Sequence, residues 1–302
     1  MVALRKRIRN DRTYYYLEHS VRKGGKVVQK EQYLGRRLPE DVEQAKRAFI
    51  SRIYAETWFE RFDEIKRNHL RERRKTPASA RKKEGESFAI RFTYDTNRME
   101  GSTLTLRETA NLLENGISPG ERPVRDIKEA ESHRRVFHGM LGAEKDLSLQ
   151  MCLRWHRDLF RETKPDVAGR IRDHQVAISG SRFMPPLPIE LDALLEELFI
   201  WYRKNRGVLH PVELAGLVHL RFVTIHPFAD GNGRVSRLMM NLVLHRSGFP
   251  LLTIPYERRG SYYNALEKAQ TKGDDHLFLR WFFKMYLKEH ARYLDVQGKK
   301  GR

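Results

Sequence analysis

A tight, glycine-containing loop between two helical segments is the feature that most constrains how this chain can fold. The loop, residues 226–234, reads HPFADGNGR. Before it, residues 212–223 place apolar side chains at helical spacing, and Pro211 suits the first helical turn because its missing N–H needs no partner there. After it, residues 234–245 again have helical spacing. The sequence therefore predicts a helix, a tight loop and a second helix.

Two side chains in this loop suit acid–base and metal chemistry. His226 is the only loop residue that accepts a proton near neutral pH. Asp230 can hold a hard cation such as Mg2+, which binds through few carboxylates plus phosphates. The alternative is a structural histidine beside an ordinary turn, and it stays open for His226 taken alone.

The rest of the loop suits an anion. Gly231 and Gly233 permit backbone angles that other residues disfavour, and with Asn232 between them successive N–H groups can point into one concavity. That concavity opens onto the start of the next helix, which favours anions. Arg234 and Arg237 share a helix face just beyond it, and arginine matches phosphate oxygens bidentately. Together these parts predict a polyphosphate site.

The longer run HPFADGNGRVSR, residues 226–237, resembles the signature of the Fic proteins, His-Pro-Phe-x-(Asp/Glu)-Gly-Asn-Gly-Arg-x-x-Arg. The resemblance implies transfer of AMP from ATP to a Ser, Thr or Tyr hydroxyl of a target protein, and to the chain itself. It implies that His226 deprotonates the hydroxyl and that Asp230 binds Mg2+ or Mn2+. Phe228 is expected to be a packing anchor.

The same resemblance assigns the other residues of the motif. The backbone of Gly231 and Gly233, with Asn232, would hold the leaving pyrophosphate. Arg234 and Arg237 would grip the β and γ phosphates. His226, Asn232 and Arg234 are therefore the predicted catalytic residues, and the glycines and arginines are predicted to bind the nucleotide.

A second motif, Thr96-Asn-Arg-Met-Glu-Gly101, lies upstream. Thr96 and Glu100 are four residues apart and share a helix face, and Gly101 is a natural C-terminal cap. A carboxylate in the last turn faces the negative end of the helix dipole and needs a cation. The segment resembles the inhibitory motif of the Fic family, which implies that Glu100 pairs with Arg237 and removes it from the γ-phosphate. An ordinary exposed glutamate is the alternative.

Residues 174–183 have a β-like pattern with a glycine turn at Gly180, and Pro185-Pro186 closes the segment. It resembles the family's flap, a hairpin that can register a target segment by strand addition. The predicted contact residues are Val176, Ala177 and Ile178. A plain scaffold hairpin is the alternative.

Tyr262 and Tyr263 match a family segment near the adenine, which makes them predicted nucleotide-binding residues. Aromatic side chains at such spacing are often core residues, so both interpretations stay open.

The formal net charge of +19 suits a chain that meets polyanions. Much of the charge lies at residues 1–37, where basic residues alternate with tyrosines. Strand-like runs at about 13–22 and 26–34 flank Gly24-Gly25, a hairpin signal. The segment is predicted to be a small basic antiparallel sheet. Nucleic acid is one partner for it, and a solvated structural sheet is the alternative.

The predicted fold is mainly α, a Fic-type helical core with a β-hairpin flap plus the small N-terminal β unit. The predicted domains are a β unit at 1–37, a helix and charged linker at 38–84, a catalytic domain at 85–295 and a basic tail at 296–302. The predicted helices are 39–70, 86–100, 106–115, 124–143, 148–162, 189–205, 212–224, 234–246, 261–270 and 275–294.

The remaining expectations concern compartment and partners. A single cysteine, Cys152, suits a reducing cytoplasm. The sequence contains no apolar run long enough to predict a membrane-spanning segment. A homodimer stays open. Three functions stay open as well: an autoinhibited AMP transferase, a deAMPylase that removes AMP from a modified protein, and a nucleic-acid-binding regulator.

Overall fold

The protein is described by a computed structural model that covers residues 2–23 and 26–294. The chain divides into two compact units, Met1–Glu64 and Ile65–Arg302. Three strands come first: β1 Ala3–Arg9, β2 Arg12–Lys23 and β3 Lys26–Gly35. The helices follow: α1 Val42–Tyr54, α2 Glu60–Lys75, α3 Ala78–Met99, α4 Leu106–Asn115, α5 Val124–Leu141, α6 Leu149–Phe160, α7 Leu191–Asn205, α8 Pro211–Ile225, α9 Asn232–Arg246, α10 Arg259–Lys272 and α11 Asp275–Glu289.

The first unit contains the predicted antiparallel sheet. Its strands lie in the order β1-β2-β3, with Arg7 opposite Tyr14 and Tyr16 opposite Tyr33. Leu17 on β2 is fully buried, whereas the basic strand β1 is largely exposed. Burial in the sheet is therefore concentrated at Leu17 and His19 in the middle of β2. The predicted Gly24-Gly25 turn lies outside the described residues, as does the basic tail.

The second unit is built around α8 and α9. Almost every residue of both helices is buried, and they pack against each other. Helix α9 also contacts α3, α5 and α6, and α8 contacts α7 and α11. The loop between α8 and α9 is thus held on all sides by the core. Among the described residues, no helix is both long and apolar enough to cross a bilayer.

Local signals in the sequence placed most helix ends correctly. Thr105 opens α4 with a reciprocal capping box to Glu108. Ser148 caps α6 by accepting a hydrogen bond from the Met151 N–H, and Pro211 occupies the first turn of α8. Cys152 is buried in α6, and burial raises the pKa of its thiol, so it is a core residue.

The stretch predicted as a charged linker is helical. Helix α2 extends to Lys75 and α3 begins at Ala78, so the helix that carries Thr96 and Glu100 is longer than predicted. Basic side chains in the last turn of α2 suit the negative end of its dipole. Pro77 stands at the N-cap of α3, where its missing N–H costs nothing.

The predicted β-hairpin flap has a turn but no strand pairing. Residues 174–187 contain no strand, and the only turn bond there runs from the Ser181 N–H to the Ile178 carbonyl (3.0 Å), beside Gly180 at φ +75°. Pro185 and Pro186 have no N–H to give to a ladder. The Gln175 side chain instead bridges the two arms by donating to the Pro185 carbonyl (2.9 Å).

Candidate functional site

The motif loop begins where α8 ends, at His226. This residue has φ 53° and ψ 56°, the left-handed conformation that turns the chain out of the helix. Its N–H donates to the Phe222 carbonyl (3.0 Å), which closes the last helical turn. Phe228 is fully buried and stacks on His156, with 3.8 Å between ring centroids. The predicted packing role of Phe228 is therefore present.

The His226 ring is held in the tautomer that a general base needs. Its Nδ1 lies 3.1 Å from the Val223 carbonyl, and because a carbonyl only accepts, Nδ1 carries the proton. Nε2 is left with its lone pair. Burial lowers the pKa of His226, and the Arg172 charge lowers it further, against the opposing effect of the Val223 carbonyl. The ring is neutral at pH 7 and can accept a proton.

Asn232 braces the loop. Its side-chain amide donates to the Phe228 carbonyl (2.8 Å), and its Oδ1 accepts from the Phe228 N–H (2.9 Å). The side chain is buried and both ends are satisfied. The structure therefore gives the Asn232 side chain a positioning role, and only its backbone N–H, in the first turn of α9, is free for an anion.

Both glycines of the loop are required by close approach. Gly231 has φ +78°, and a Cβ there would lie 2.4 Å from the Phe160 ring. A Cβ on Gly233 would lie 2.5 Å from the Glu100 carboxylate and 2.9 Å from the Arg237 guanidinium. Gly233 therefore makes room for a contact between those two charged groups as well as for a ligand.

Asp230 is an ionised carboxylate at the mouth of the loop. Burial raises its pKa, but Arg234, Lys164 and the Gly231 N–H together lower it to about 2. The Gly231 N–H donates to Oδ1 (2.5 Å), Arg234 Nη2 donates to Oδ1 (3.2 Å), and Lys164 Nζ contacts Oδ2. An ammonium thus already neutralises the oxygen that a metal ion would use.

The Asp230 carboxylate fits a magnesium ion that takes most of its ligands from phosphates and water. It is the one carboxylate of the loop, and its side chain is 34% exposed. Within residues 2–23 and 26–294 no group of three His, Cys, Asp or Glu side chains is arranged to hold a metal by itself. Binding requires Lys164 to move away from Oδ2.

Arg234 is buried among opposite charges and an aromatic ring. Its guanidinium pairs with Glu129 of α5 and with Asp230, and lies 4.4 Å from the centre of the Phe160 ring. The side chain is 2% exposed. We call this arrangement of Arg234, Glu129, Asp230 and Phe160 the Arg234 pocket.

Arg237, one turn further along α9, is bound by the end of α3. Its Nε donates to Thr96 Oγ1 (2.6 Å), and its Nη2 donates to Glu100 Oε1 (2.6 Å). We call Arg237, Thr96 and Glu100 the Arg237 pocket. Gly101 (φ +95°) turns the chain directly after Glu100, and the Ser102 N–H caps α3 by bonding to the Asn97 carbonyl (3.0 Å). The two predicted inhibitory residues thus face the predicted arginine.

Arg172 is a functional residue that sequence reasoning missed. It is 4% exposed, and its guanidinium donates to the carbonyls of His226 (2.8 Å), His174 (2.9 Å) and Pro186 (2.6 Å). Its own N–H donates to the Pro227 carbonyl (2.9 Å). It therefore ties both arms of the flap segment to the backbone of His226. Nothing in the local sequence distinguishes it from the other arginines.

Glu129 and Lys164 were also missed. They lie 105 and 66 residues from their motif partners along the chain. His156 is a third case: its Nδ1 accepts from the Gly169 N–H (2.8 Å), so Nε2 donates to the Asp230 carbonyl (3.0 Å). Each joins the site only through tertiary packing.

The structure separates the two predicted adenine-site tyrosines. Tyr262 is 1% exposed and its hydroxyl lies 2.9 Å from His219 Nε2, which favours the core interpretation. Tyr263 is 44% exposed, and its hydroxyl donates to the Met99 carbonyl (3.2 Å) at the end of α3. Only Tyr263 presents an open ring. The flap residues Val176 and Ile178 are half-buried, and Ala177 is exposed.

Comparison with known proteins agrees with this geometry. The model of the Fic/DOC family matches residues 146–244. Protein adenylyltransferase fic-1 from Caenorhabditis elegans is 34% identical over 211 residues, which cover 68% of this chain and 41% of that protein. Protein adenylyltransferase Fic from Drosophila ananassae is 31% identical over 220 residues, covering 72% and 44%. The chain therefore spans less than half the length of these relatives.

Solved structures show the same fold. A Fic domain containing signaling protein from Bacteroides thetaiotaomicron aligns with a TM-score of 0.69 at 26% identity, over 77% of this chain and 96% of that one. Fic-1 from C. elegans aligns with a TM-score of 0.68 at 27% identity, over 85% of this chain and 78% of that one. With the motif, the site geometry and these likenesses together, this chain carries a Fic/DOC family domain.

Proposed function

We propose that this chain is a protein adenylyltransferase that moves AMP from ATP to a hydroxyl of a target protein and is held inactive by Glu100. One observation carries the proposal. The neutral His226 ring, with Nε2 free, lies in the same loop as the N-terminus of α9 and its two arginines. The names of the relatives, protein adenylyltransferases, support the same activity.

The reaction follows from the base and the loop. His226 Nε2 takes the proton of the target hydroxyl while the hydroxyl oxygen bonds to the α-phosphorus of ATP. The bond between that phosphorus and the bridging oxygen of the β-phosphate breaks, and pyrophosphate leaves with the electron pair. Protein O–AMP and protonated His226 result, and the proton then passes to solvent or pyrophosphate. Removing a general base alone typically costs about 10²–10⁴-fold in rate.

The phosphates would lie at the N-terminus of α9. Backbone N–H groups after Gly231 and the positive end of the helix dipole stabilise the growing negative charge on pyrophosphate. Arg234 and Arg237 add cations that match phosphate oxygens. Mg2+ or Mn2+, held by Asp230, would supply further neutralisation of the phosphate charge.

Inhibition would follow from the Arg237 pocket. The Glu100 carboxylate accepts a hydrogen bond from the Arg237 guanidinium, which would otherwise bind the γ-phosphate. It also lies close to Gly233 and so approaches the concavity where the phosphates would bind. A triphosphate that binds there is displaced, so its α-phosphorus is out of line with the attacking oxygen. Such misplacement costs about 10²-fold.

Incubation with α-labelled ATP tests the proposal. Glu100→Gly should label itself and a target far more than the wild type does, with Mg2+ or with Mn2+, and mass spectrometry should find AMP on a hydroxyl side chain. His226→Ala in the same background should abolish the label. The double variant Glu100→Gly with Arg237→Ala should stay inactive, because Arg237 serves the nucleotide. No gain in Glu100→Gly under either metal would contradict inhibition.

The reverse activity is the competing account of the same residues. If the wild type strips AMP from a modified protein and Glu100→Gly loses that ability, removal of AMP is the principal reaction and Glu100 is a positive participant. The target would be a protein segment that lies along residues 174–187. We infer a cytoplasmic location, and the homodimer stays a prediction.

A second function is favoured by the N-terminal sheet. Residues 1–37 contain eleven Lys and Arg against three Asp and Glu. Arg5 and Arg7 alternate on the face that carries Tyr14, Tyr16 and Tyr33. Arg7 lies 4.4 Å from the centre of the Tyr16 ring, and Glu18 and Glu31 pair with Arg7. Basic side chains interleaved with open aromatic rings suit nucleic acid.

Fluorescence anisotropy on random-sequence DNA tests this second function. Affinity should fall steeply with salt, because phosphate contacts release counterions. Arg9→Glu with Arg12→Glu should weaken binding, whereas Lys204→Glu on α7 should leave it nearly unchanged. Equal affinities of all three proteins would leave the sheet as a structural element.

A further inference from the structure

A cavity of ≈ 450 Å3 lies beside the N-terminal half of α3, lined only by residues of the second unit. Arg81, Glu84, Gly85 and Phe88 of α3 line it at helical spacing, so one face of the inhibitory helix forms one wall. The volume is in the range of sites that bind small organic molecules. The residues of the motif loop do not line it.

One part of the cavity is apolar and is lined by aromatic side chains and a buried histidine. Phe88, Phe137, Phe249 and Leu251 line it. His290 also lines it, is 8% exposed, and within the part of the chain that the structure describes its Nε2 has no hydrogen-bond partner. That nitrogen is closed to solvent, so this part of the cavity presents apolar surface to a ligand.

The rim is cationic. Arg73, Arg81 and Arg292 line the cavity, and Arg292 is engaged by Glu72 (3.4 Å). The Arg73 guanidinium has no hydrogen-bond or ion-pair partner within residues 2–23 and 26–294.

Two carboxylates, Glu84 and Glu289, also line the cavity. Three histidines, His69, His245 and His290, line the cavity, and burial lowers the pKa of each. Burial, with Arg73 and Arg292, lowers the pKa of His69 to about 4, and burial with His69 and Arg292 lowers that of His290 to about 3. Guanidinium groups therefore outnumber the carboxylates, and Arg73 is available to an anion.

We propose that this cavity binds a small amphipathic anion, with its aromatic or aliphatic body against Phe88 and Phe249 and its acidic group toward Arg73. Arginine is suited to carboxylate, sulfonate and phosphate groups alike, so the class is defined by the charge and the apolar body together.

The place of the cavity links it to regulation, and this part rests on the inhibition proposed above. Phe88 and Glu100 lie on the same helix, twelve residues or about 18 Å apart. Arg73 lies on α2, whereas the opposite contacts of the ligand lie on α3. A ligand that binds both helices therefore favours one position of α3 relative to α2. If that position is the one with Glu100 on Arg237, ligand binding and the inhibitory contact strengthen each other by the same factor.

Two fluorescent probes that differ by one anionic group test the binding site. 8-Anilinonaphthalene-1-sulfonate should bind the full-length protein at one site, about tenfold tighter than N-phenyl-1-naphthylamine, the same skeleton without sulfonate. Arg73→Gln should remove that difference. Equal binding of the two probes to the wild type would overturn the assignment of an anionic ligand.

Gly85 offers a matched pair of variants that separates the cavity from other apolar surface. A Cβ at Gly85 meets nothing within 4 Å, so a side chain there enters open space. Gly85→Trp should fill the cavity and abolish sulfonate binding, whereas Gly85→Ala, which also improves helix propensity, should keep it. Unchanged binding in a folded Gly85→Trp protein would show that the probe binds elsewhere and overturn the proposal.

Comparison of the wild type with Glu100→Gly tests the link to inhibition without any activity assay. The wild type should bind the sulfonate probe at least about fivefold tighter, as reciprocal coupling requires. Equal dissociation constants would overturn the link. His226→Ala should bind the probe like the wild type, so a chain that failed to transfer AMP would still report on the cavity.

Discussion

The Arg234 and Arg237 pockets place two arginines of one motif in different surroundings. Arg234 is enclosed by Glu129, Asp230 and the Phe160 ring, and the Glu129 side chain is 11% exposed. Arg237 is equally buried, but both of its polar partners, Thr96 and Glu100, come from the end of α3, and the Glu100 side chain is 24% exposed.

The difference indicates which pocket can open. Glu100 lies at the C-cap of α3, with Gly101 next to it, so a small movement at the end of this helix withdraws the Glu100 carboxylate from Arg237. Glu129 lies inside α5 and moves only with that helix. We infer that the Arg234 pocket is part of the framework of the site and that the Arg237 pocket is its switch.

The largest difference is expected in stability. Arg234→Met should lower the free energy of unfolding by about 3–5 kcal/mol, because Glu129 and Asp230 lose a buried countercharge. Arg237→Met should cost about 1–3 kcal/mol, since Glu100 can turn toward water. Urea unfolding of the two variants and the wild type measures this. Equal losses would remove the distinction between framework and switch.

Activity should change in opposite directions when the two carboxylates are neutralised. Glu100→Gln should raise labelling by α-labelled ATP by up to about 10²-fold, because Arg237 becomes free to position the γ-phosphate. Glu129→Gln should lower labelling, because Arg234 loses the partner that orients it. Both changes remove one charge from an Arg–Glu pair, so each is the control for the other. A gain in both variants would mean that both arginines are inhibited.

The pH dependence of activity should reveal the effect of Arg172 on His226. His226 works as neutral imidazole, and its pKa is lowered in the folded protein, so activity of the Glu100→Gly background should be lost only as pH falls below the ordinary histidine range. Arg172→Gln removes a nearby positive charge, so the pKa of His226 rises and, if His226 is the base as proposed above, the acid limb of kcat/KM moves to higher pH.

Arg170→Gln is the matched control for that experiment, because Arg170 is exposed and two residues away. It should leave the profile in place. An acid limb that does not move in Arg172→Gln would show that Arg172 acts only on the backbone of the flap segment.

The smallest effect is expected at the metal ligand. Lys164→Met should tighten Mn2+ binding in the presence of a non-hydrolysable ATP analogue by about fivefold, since the Lys164–Asp230 contact is partly exposed and such pairs are worth about 1 kcal/mol. Electron paramagnetic resonance of free Mn2+ measures it. Lys204→Met, at an exposed position on α7, should have no effect. Weaker Mn2+ binding in Lys164→Met would show that the ammonium assists the phosphates instead.

Local sequence signals predicted individual elements well. The capping box at Thr105, the cap at Ser148 and the first-turn Pro211 each act within four residues, and each is present. The errors came where a local signal competes with distant contacts. The residues before 84 were interpreted as a charged linker, and the 174–183 pattern as a hairpin of paired strands.

The sequence by itself determined the helix–loop–helix, the position of His226 at the end of the first helix, the left-handed glycine at Gly231 and the start of α9 close behind it, because these depend on bonds within one or two turns. The motif resemblance identified Glu100 and Arg237 as partners.

Only the tertiary structure decided which groups surround the charges. Glu129 meets Arg234, Lys164 meets Asp230, and Arg172 meets the His226 carbonyl, each across more than fifty residues of chain. A buried charge takes whichever partner the packing of the helices brings close, and that packing depends on the whole core.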